Sequence, residues 1–115
     1  MPRSAHARLD DILAAAERIA EFSADMTLEE FRDDLRTVHA VLHNIVLIGE
    51  AAKGVSDTVR STTPEIPWLE MAGMRDVVVH DYFKDDIPIV WNTARQSVPD
   101  AAGKISKARS EGRFS

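Results

Sequence analysis

Apolar residues recur along this chain at intervals of three and four, the spacing of one face of a helix. Leu9, Ile12, Leu13, Ala16, Ile19 and Ala20 form the first stripe, with Glu17, Arg18 and Glu21 lying off it. The stripe predicts an amphipathic helix ending near Ser23, preceded by residues 1–7 as a loose leader. Thr27-Leu28-Glu29-Glu30 has the form of a capping box: the threonine oxygen accepts a helix-start N–H and Glu30 reaches back to the threonine N–H. A short helix through about Leu35 follows from it. A longer helix is predicted from about Arg36 to Lys53, with Val38, Val41, Leu42, Ile45, Ile48, Gly49 and Ala52 as its main stripe. A glycine inside that stripe points to another helix passing close by. Val46 and Leu47 fall outside it, and extra apolar positions call for a second packing partner, in this chain or in another copy.

Gly54 ends the long helix, and Ser56 can cap a short one through about Ser61. Thr62 to Pro67 is a turn-rich connector, because the residue before each proline is pushed away from helical geometry. A helix then runs from Trp68 to about His80. Its three successive valines, 77–79, make it a poor isolated helix, so packing must hold it. Lys84-Asp85-Asp86 reads as a turn. A last stripe, Ile87, Val90, Trp91, Ala94, Val98, Ala101 and Ile105, is interrupted by Pro99, which is expected to kink or break its helix. No strand alternation and no internal repeat stand out. The fold class expected is all-α, an up-down bundle of four to five helices with short connections.

At 115 residues the chain is expected to be a single domain, 1–115, with a modest core. Its 44% hydrophobic and 29% charged content is that of a soluble globular protein. With no cysteine, disulfides, thiolate metal sites and thiol nucleophiles are excluded. No signal-like N-terminus and no apolar run of bilayer length are present, so a cytoplasmic protein without membrane contact is expected. A net charge of −5 argues against general attraction to nucleic acid, and a symmetric dimer would double it. Any nucleic-acid contact must use a local basic patch, or the nucleic acid must arrive weakly. The C-terminal tail, 104–115, offers one in Lys104, Lys107, Arg109 and Arg113; the alternative is a solvated helix end.

The candidate chemistry lies in Met74-Arg75-Asp76-Val77-Val78-Val79-His80-Asp81-Tyr82-Phe83. On a helix, with Arg75 at zero, Asp76 falls at about 100°, His80 at about 140° and Tyr82 at about 340°, while Met74, Val77 and Val78 fall between about 200° and 300°. One side can be buried while the other presents guanidinium, imidazole and phenol. Arginine offers a charged fork for phosphate oxygens, and histidine both takes and gives a proton near neutral pH. Taken singly, Arg75 is more often an ion-pair partner, here of Asp76 or Glu70, His80 a cap or helix-end dipole partner, and Tyr82 a helix-end anchor; it is the joint pattern with its flanks that favours chemistry. Glu50 can line a cleft beside Arg75 or pair with Lys53 at i+3. His39 and His43, four apart, could share a metal, but no further ligands stand at a supporting spacing; a polar helix surface is the reading taken, with no metal and no cofactor.

Arg75, a polar residue, three more, His80, one more and Tyr82 make an R-x4-H-x-Y pattern. It is flanked by Ile48-Gly49-Glu50-Ala51-Ala52-Lys53, by Ile66-Pro67-Trp68 and by Ile87 to Trp91. Together these resemble the HepT-type proteins, small all-helical members of the HEPN superfamily of RNA-cleaving domains, over roughly residues 8 to 105. The resemblance implies a homodimer whose two chains share one cleft. It implies a metal-independent endoribonuclease in which the RNA's own 2′-hydroxyl attacks the neighbouring phosphorus, leaving a 2′,3′-cyclic phosphate and a 5′-hydroxyl. His80 would act as general base or acid and Arg75 would stabilise charge on the non-bridging oxygens. Asp76, four before His80, could approach the imidazole and favour its charged form, while adding negative charge beside the phosphate. The resemblance further implies a toxin–antitoxin pair, with a nucleotidyltransferase antitoxin that adds AMP to Tyr82. A second reading is a catalytically idle domain of the same fold that docks the nucleotidyltransferase or presents its substrate.

Overall fold

The computed structural model describes residues 3–81 and 86–114; for 76–81 the description is of the backbone alone. Among the described residues the chain is all-helical: α1 (Ala5–Ser23), α2 (Leu28–Asp33), α3 (Leu35–Lys53), α4 (Asp57–Thr62), α5 (Trp68–Asp81), α6 (Ile87–Asn92) and α7 (Val98–Ser110). A π-helical turn, Thr93–Ser97, joins α6 to α7, so the chain is helical from 87 to 110. None of the described helices is long and apolar enough to cross a membrane.

The boundaries have local chemical causes. Ser4 caps α1 by accepting the Ala7 N–H at 3.1 Å, and Arg3 pairs with Asp11 at 2.9 Å. The leader is therefore shorter than the sequence suggests, and α1 takes in its last three residues. The Thr27–Glu30 capping box forms in both directions, at 3.1 and 2.9 Å. Asp34 ends α2 and caps α3, accepting from the Thr37 N–H and hydroxyl. Those Thr37 bonds, the hydroxyl first, hold the Asp34 carboxyl below its ordinary value. Pro99 does not end the last helix. Its ring removes one N–H and would strike the carbonyl four residues back in a regular turn. The wider turn before it, where the Val98 N–H reaches Thr93 O, takes up the proline, and the helix continues.

Helix α3 is the spine, flanked by α1 and α5. Arg18 meets Asn44 and the Arg8 guanidinium lies over Gly54, so α1 and α3 run antiparallel. Arg95 meets Ser23 and Arg109 meets Asp10, so the last helix also runs antiparallel to α1. All seven predicted stripe positions of α3 are buried, as are Leu9, Ile12 and Ile19 of α1. Ile12 and Ala16 of α1, Ile48 of α3, Met71 and Met74 of α5, and Val98 and Ala101 of α7 line one small gap in the core, so the four long helical stretches meet there. The short α2 and α4 are connectors. Phe31 of α2 is fully buried, its ring tilted against that of Trp91 with centres 5.0 Å apart.

The C-terminus is tied down. Arg113 pairs with Glu65 and donates to Thr62 O at 2.7 Å, which brings Phe114 edge-on to Trp68. The Trp68 indole N–H in turn donates to buried Thr63 at 2.9 Å. The segment from Lys104 to Ser110 is thus the end of α7 rather than a loose arm.

Candidate active site

The site is built where α5 crosses α3. A side-chain carbon placed on Gly49 would lie 2.8 Å from Arg75 Cβ, 3.1 Å from its backbone N and 3.3 Å from Met71 O. Contacts this short are unavailable to any residue with a Cβ, so glycine sets the depth of the crossing. The close passage expected from Gly49 is with α5, the helix that carries the candidate chemistry.

One residue on, Glu50 leaves the buried stripe and accepts from Arg75 Nε at 3.2 Å. Of its two expected neighbours, Arg75 rather than Lys53 is the one it bonds. Glu50 is 55% exposed and Arg75 36%, so the pair is worth at most about 1 kcal/mol of stability. Its physical effect is to orient the Arg75 guanidinium at the surface from a backbone position fixed by the Gly49 crossing.

Backbone geometry carries the remaining motif. Because α5 is helical through Asp81, His80 stands about 7.5 Å along the axis from Arg75 and about 140° around it. The side chains of Asp76 and His80, and the whole of Tyr82, lie outside the described residues. Arg75 and Glu50 are brought together here, and His80, the only imidazole on the Arg75 helix, stands five positions further along it.

The basic candidates near the C-terminus are placed elsewhere. Lys104 pairs with Asp100 at 3.1 Å, Lys107 is exposed, and Arg109 is half-buried against α1, bonded to Asp10 at 2.9 Å and to His6 O at 2.9 Å. His39 and His43 are exposed on α3, and among the described residues no group of three or more His, Cys, Asp or Glu could hold a metal ion.

Two features beside the crossing escaped the sequence reading. A groove of about 380 Å³ between α1 and α3 is lined by Arg3, Arg8, Asp11, Arg18, Leu47 and Glu50, among others. Arg8, Asp11 and Arg18 stand along one edge of the α1 stripe, a spacing visible in the sequence once that edge is known to face α3. On the α5 side, a mostly apolar groove of about 320 Å³ is lined by Ile45, Glu70, Gly73, Met74, Ile89 and Thr93. Within that lining Ile89 is 61% exposed, and Leu69, at the start of α5, is 76% exposed.

Comparison with known proteins gives a consistent result. The family model described as "Ribonuclease HepT-like" matches residues 12–108. A Thermococcus cleftensis protein named "Probable ribonuclease HepT" is 40% identical over 109 residues, 95% of this chain and 99% of its own. A Methanocaldococcus jannaschii protein whose name reads "Putative RNase" is 38% identical over 105 residues, 91% of this chain and 90% of its own. A longer protein of the same organism, "Gamma-glutamylcyclotransferase and putative RNase", is 33% identical over 103 residues, 90% of this chain but 46% of its own. No solved structure matches the chain.

Proposed function

This chain belongs to the ribonuclease HepT-like family, and on that premise we propose that it is a metal-independent endoribonuclease working as a homodimer. The observation that carries the reading is the Arg75 guanidinium, oriented by Glu50 on the surface of the helix that also bears His80. A guanidinium held in place before substrate arrives is what stabilisation of a pentavalent phosphorane's charge requires. The 2′-hydroxyl of the RNA attacks the adjacent phosphorus, forming the new O–P bond as the 5′-oxygen leaves. One imidazole removes the 2′-hydroxyl proton and a second protonates the 5′-oxygen. The products are a 2′,3′-cyclic phosphate and a 5′-hydroxyl, and DNA, lacking the nucleophile, is not cut.

Two imidazoles in one reaction require two chains, since each α5 carries one. A second copy also fits the exposed apolar surface of Leu69 and Ile89 beside the α5 groove, which an isolated chain leaves in water. Asp76 supports His80, and Glu50 supports Arg75. Lys104 and Lys107 remain the α7 candidates for RNA contact; Arg109 is already engaged with Asp10. In this reading the chain is the toxin of a pair, silenced when a nucleotidyltransferase antitoxin attaches AMP to Tyr82. The added phosphodiester puts negative charge and bulk beside Arg75, where the RNA phosphate must sit.

The test is purified chain incubated with total RNA in EDTA, beside His80→Ala. Cleavage by the parent alone, with cyclic-phosphate ends, supports the proposal. Intact RNA in both, with the parent binding the nucleotidyltransferase, supports the idle docking domain instead.

A further inference from the structure

We infer that the groove between α1 and α3 is a second phosphate-binding subsite, taking the backbone of the RNA strand as it leaves the Arg75 site. The inference rests on the ribonuclease reading above. It starts from a local reversal of charge. The chain carries −5 overall, yet the groove wall holds three arginines, Arg3, Arg8 and Arg18, against two carboxylates, Asp11 and Glu50. Glu50 is turned toward Arg75 on α5, and Asp11 is taken by Arg3. Arg18 is fixed by a neutral partner, the Asn44 side-chain oxygen, at 3.1 Å. Arg8 has no carboxylate within ion-pair distance among the described residues. Two guanidinium charges on the wall are thus uncompensated by a paired acid.

The placement is continuous with the active site. Glu50 belongs both to the groove and to the Arg75 pair, so the groove begins where the cleavage site ends. Arg8 and Arg18 are ten residues apart on α1, about 15 Å along its axis, a length suited to a short run of backbone phosphates. The Arg8 guanidinium lies across Gly54, the residue that caps α3, which places it at the far end of the groove from Arg18. The fit is to charge spacing rather than to base edges, so the subsite is expected to be indifferent to sequence.

The experiment uses the full chain with His80→Ala, so that substrate survives, and a fluorescent single-stranded RNA of about 20 nucleotides titrated from about 50 to 200 mM salt. Arg8→Ala is expected to weaken binding about tenfold and to lower the slope of log affinity against log salt by about one. Arg8→Lys should restore most of it. Asp11→Asn releases Arg3 and should tighten binding about threefold, a gain that misfolding cannot mimic. In the cleaving parent, Arg8→Ala should raise KM and leave kcat in place, the mark of binding shared by ground and transition states. Unchanged affinity and salt slope in Arg8→Ala, with the parent still binding and cutting RNA, overturns the subsite alone. A parent that neither binds nor cuts RNA overturns the subsite and the ribonuclease reading together.

Discussion

Replacing Gly49 by alanine tests whether the α3–α5 crossing positions the site. The new carbon would stand 2.8 Å from Arg75 Cβ, against about 3.5–4.0 Å for carbons in ordinary contact, a shortfall of about 1 Å. The opposing atoms are a Cβ and two backbone atoms, so no side-chain tip can swing aside, and α5 must move. In a helix, alanine is favoured over glycine by about 1 kcal/mol, while overpacking costs about 1–3 kcal/mol. With backbone as the obstacle the upper part of that range applies, leaving a net loss of about 1–2 kcal/mol. For a domain of this size that lowers Tm by about 5–10 °C. The activity loss should be larger than the stability loss explains, since a displacement of about 1 Å at a charge-stabilising group can cost about 10²-fold. Gly103 is the internal control: nothing lies within 4 Å of a carbon placed there, so Gly103→Ala should raise stability by up to about 1 kcal/mol and leave cleavage unchanged. Thermal melts and a cleavage assay on both variants decide the matter. A Gly49→Ala chain that melts at or above the parent and cuts RNA at the parental rate would refute the reasoning.

Two further substitutions probe the ion pairs. Glu50→Gln keeps an acceptor for Arg75 but removes the charge; stability should change by less than about 1 kcal/mol, because the pair is exposed, while cleavage falls by about tenfold or less, well short of the roughly 10²–10³ expected for Arg75→Ala. Glu65 is held below its ordinary carboxyl value, chiefly by its hydrogen bond to Arg113, so its stabilising contribution is present above its unfolded value and is lost as the pH falls through the folded one; melts of the parent and Glu65→Gln should differ at neutral pH and converge toward pH 3.

Much of the fold was legible because its causes are local. The Thr27–Glu30 box, the α3 stripe and the meaning of Gly49 all depend on residues within one or two turns, or on a glycine that periodicity alone marks as odd. What escaped was held by distant pairs. Arg113 with Glu65 and Arg109 with Asp10 join residues 48 and 99 positions apart, and they turn an apparent basic tail into a packed helix end. Pro99 was half legible: the regular α-helix is interrupted just before it, as expected, but a wider turn takes up the proline and the chain stays helical. At the site, the sequence supplied Arg75 and both possible partners of Glu50, but only the α3–α5 crossing chooses between Lys53 and Arg75. The groove arginines were passed over because they lie off the α1 stripe, and a residue off the stripe looks solvated until a neighbouring helix is placed beside it.

Central to the mechanism are two chains pooling Arg75 and His80 in one cleft, and diluting the parent with an inactive variant tests this directly. His80→Ala homodimers should be nearly silent in cleaving RNA. After subunit exchange, followed by native mass spectrometry of differently tagged chains, the mixed dimer holds one of these imidazoles where the reaction uses two. Cleavage that falls with the square of the parental fraction, because mixed dimers are silent, is the predicted result. Cleavage that falls only in direct proportion to the parental fraction would mean that each chain works with its own histidine, and would contradict the shared site.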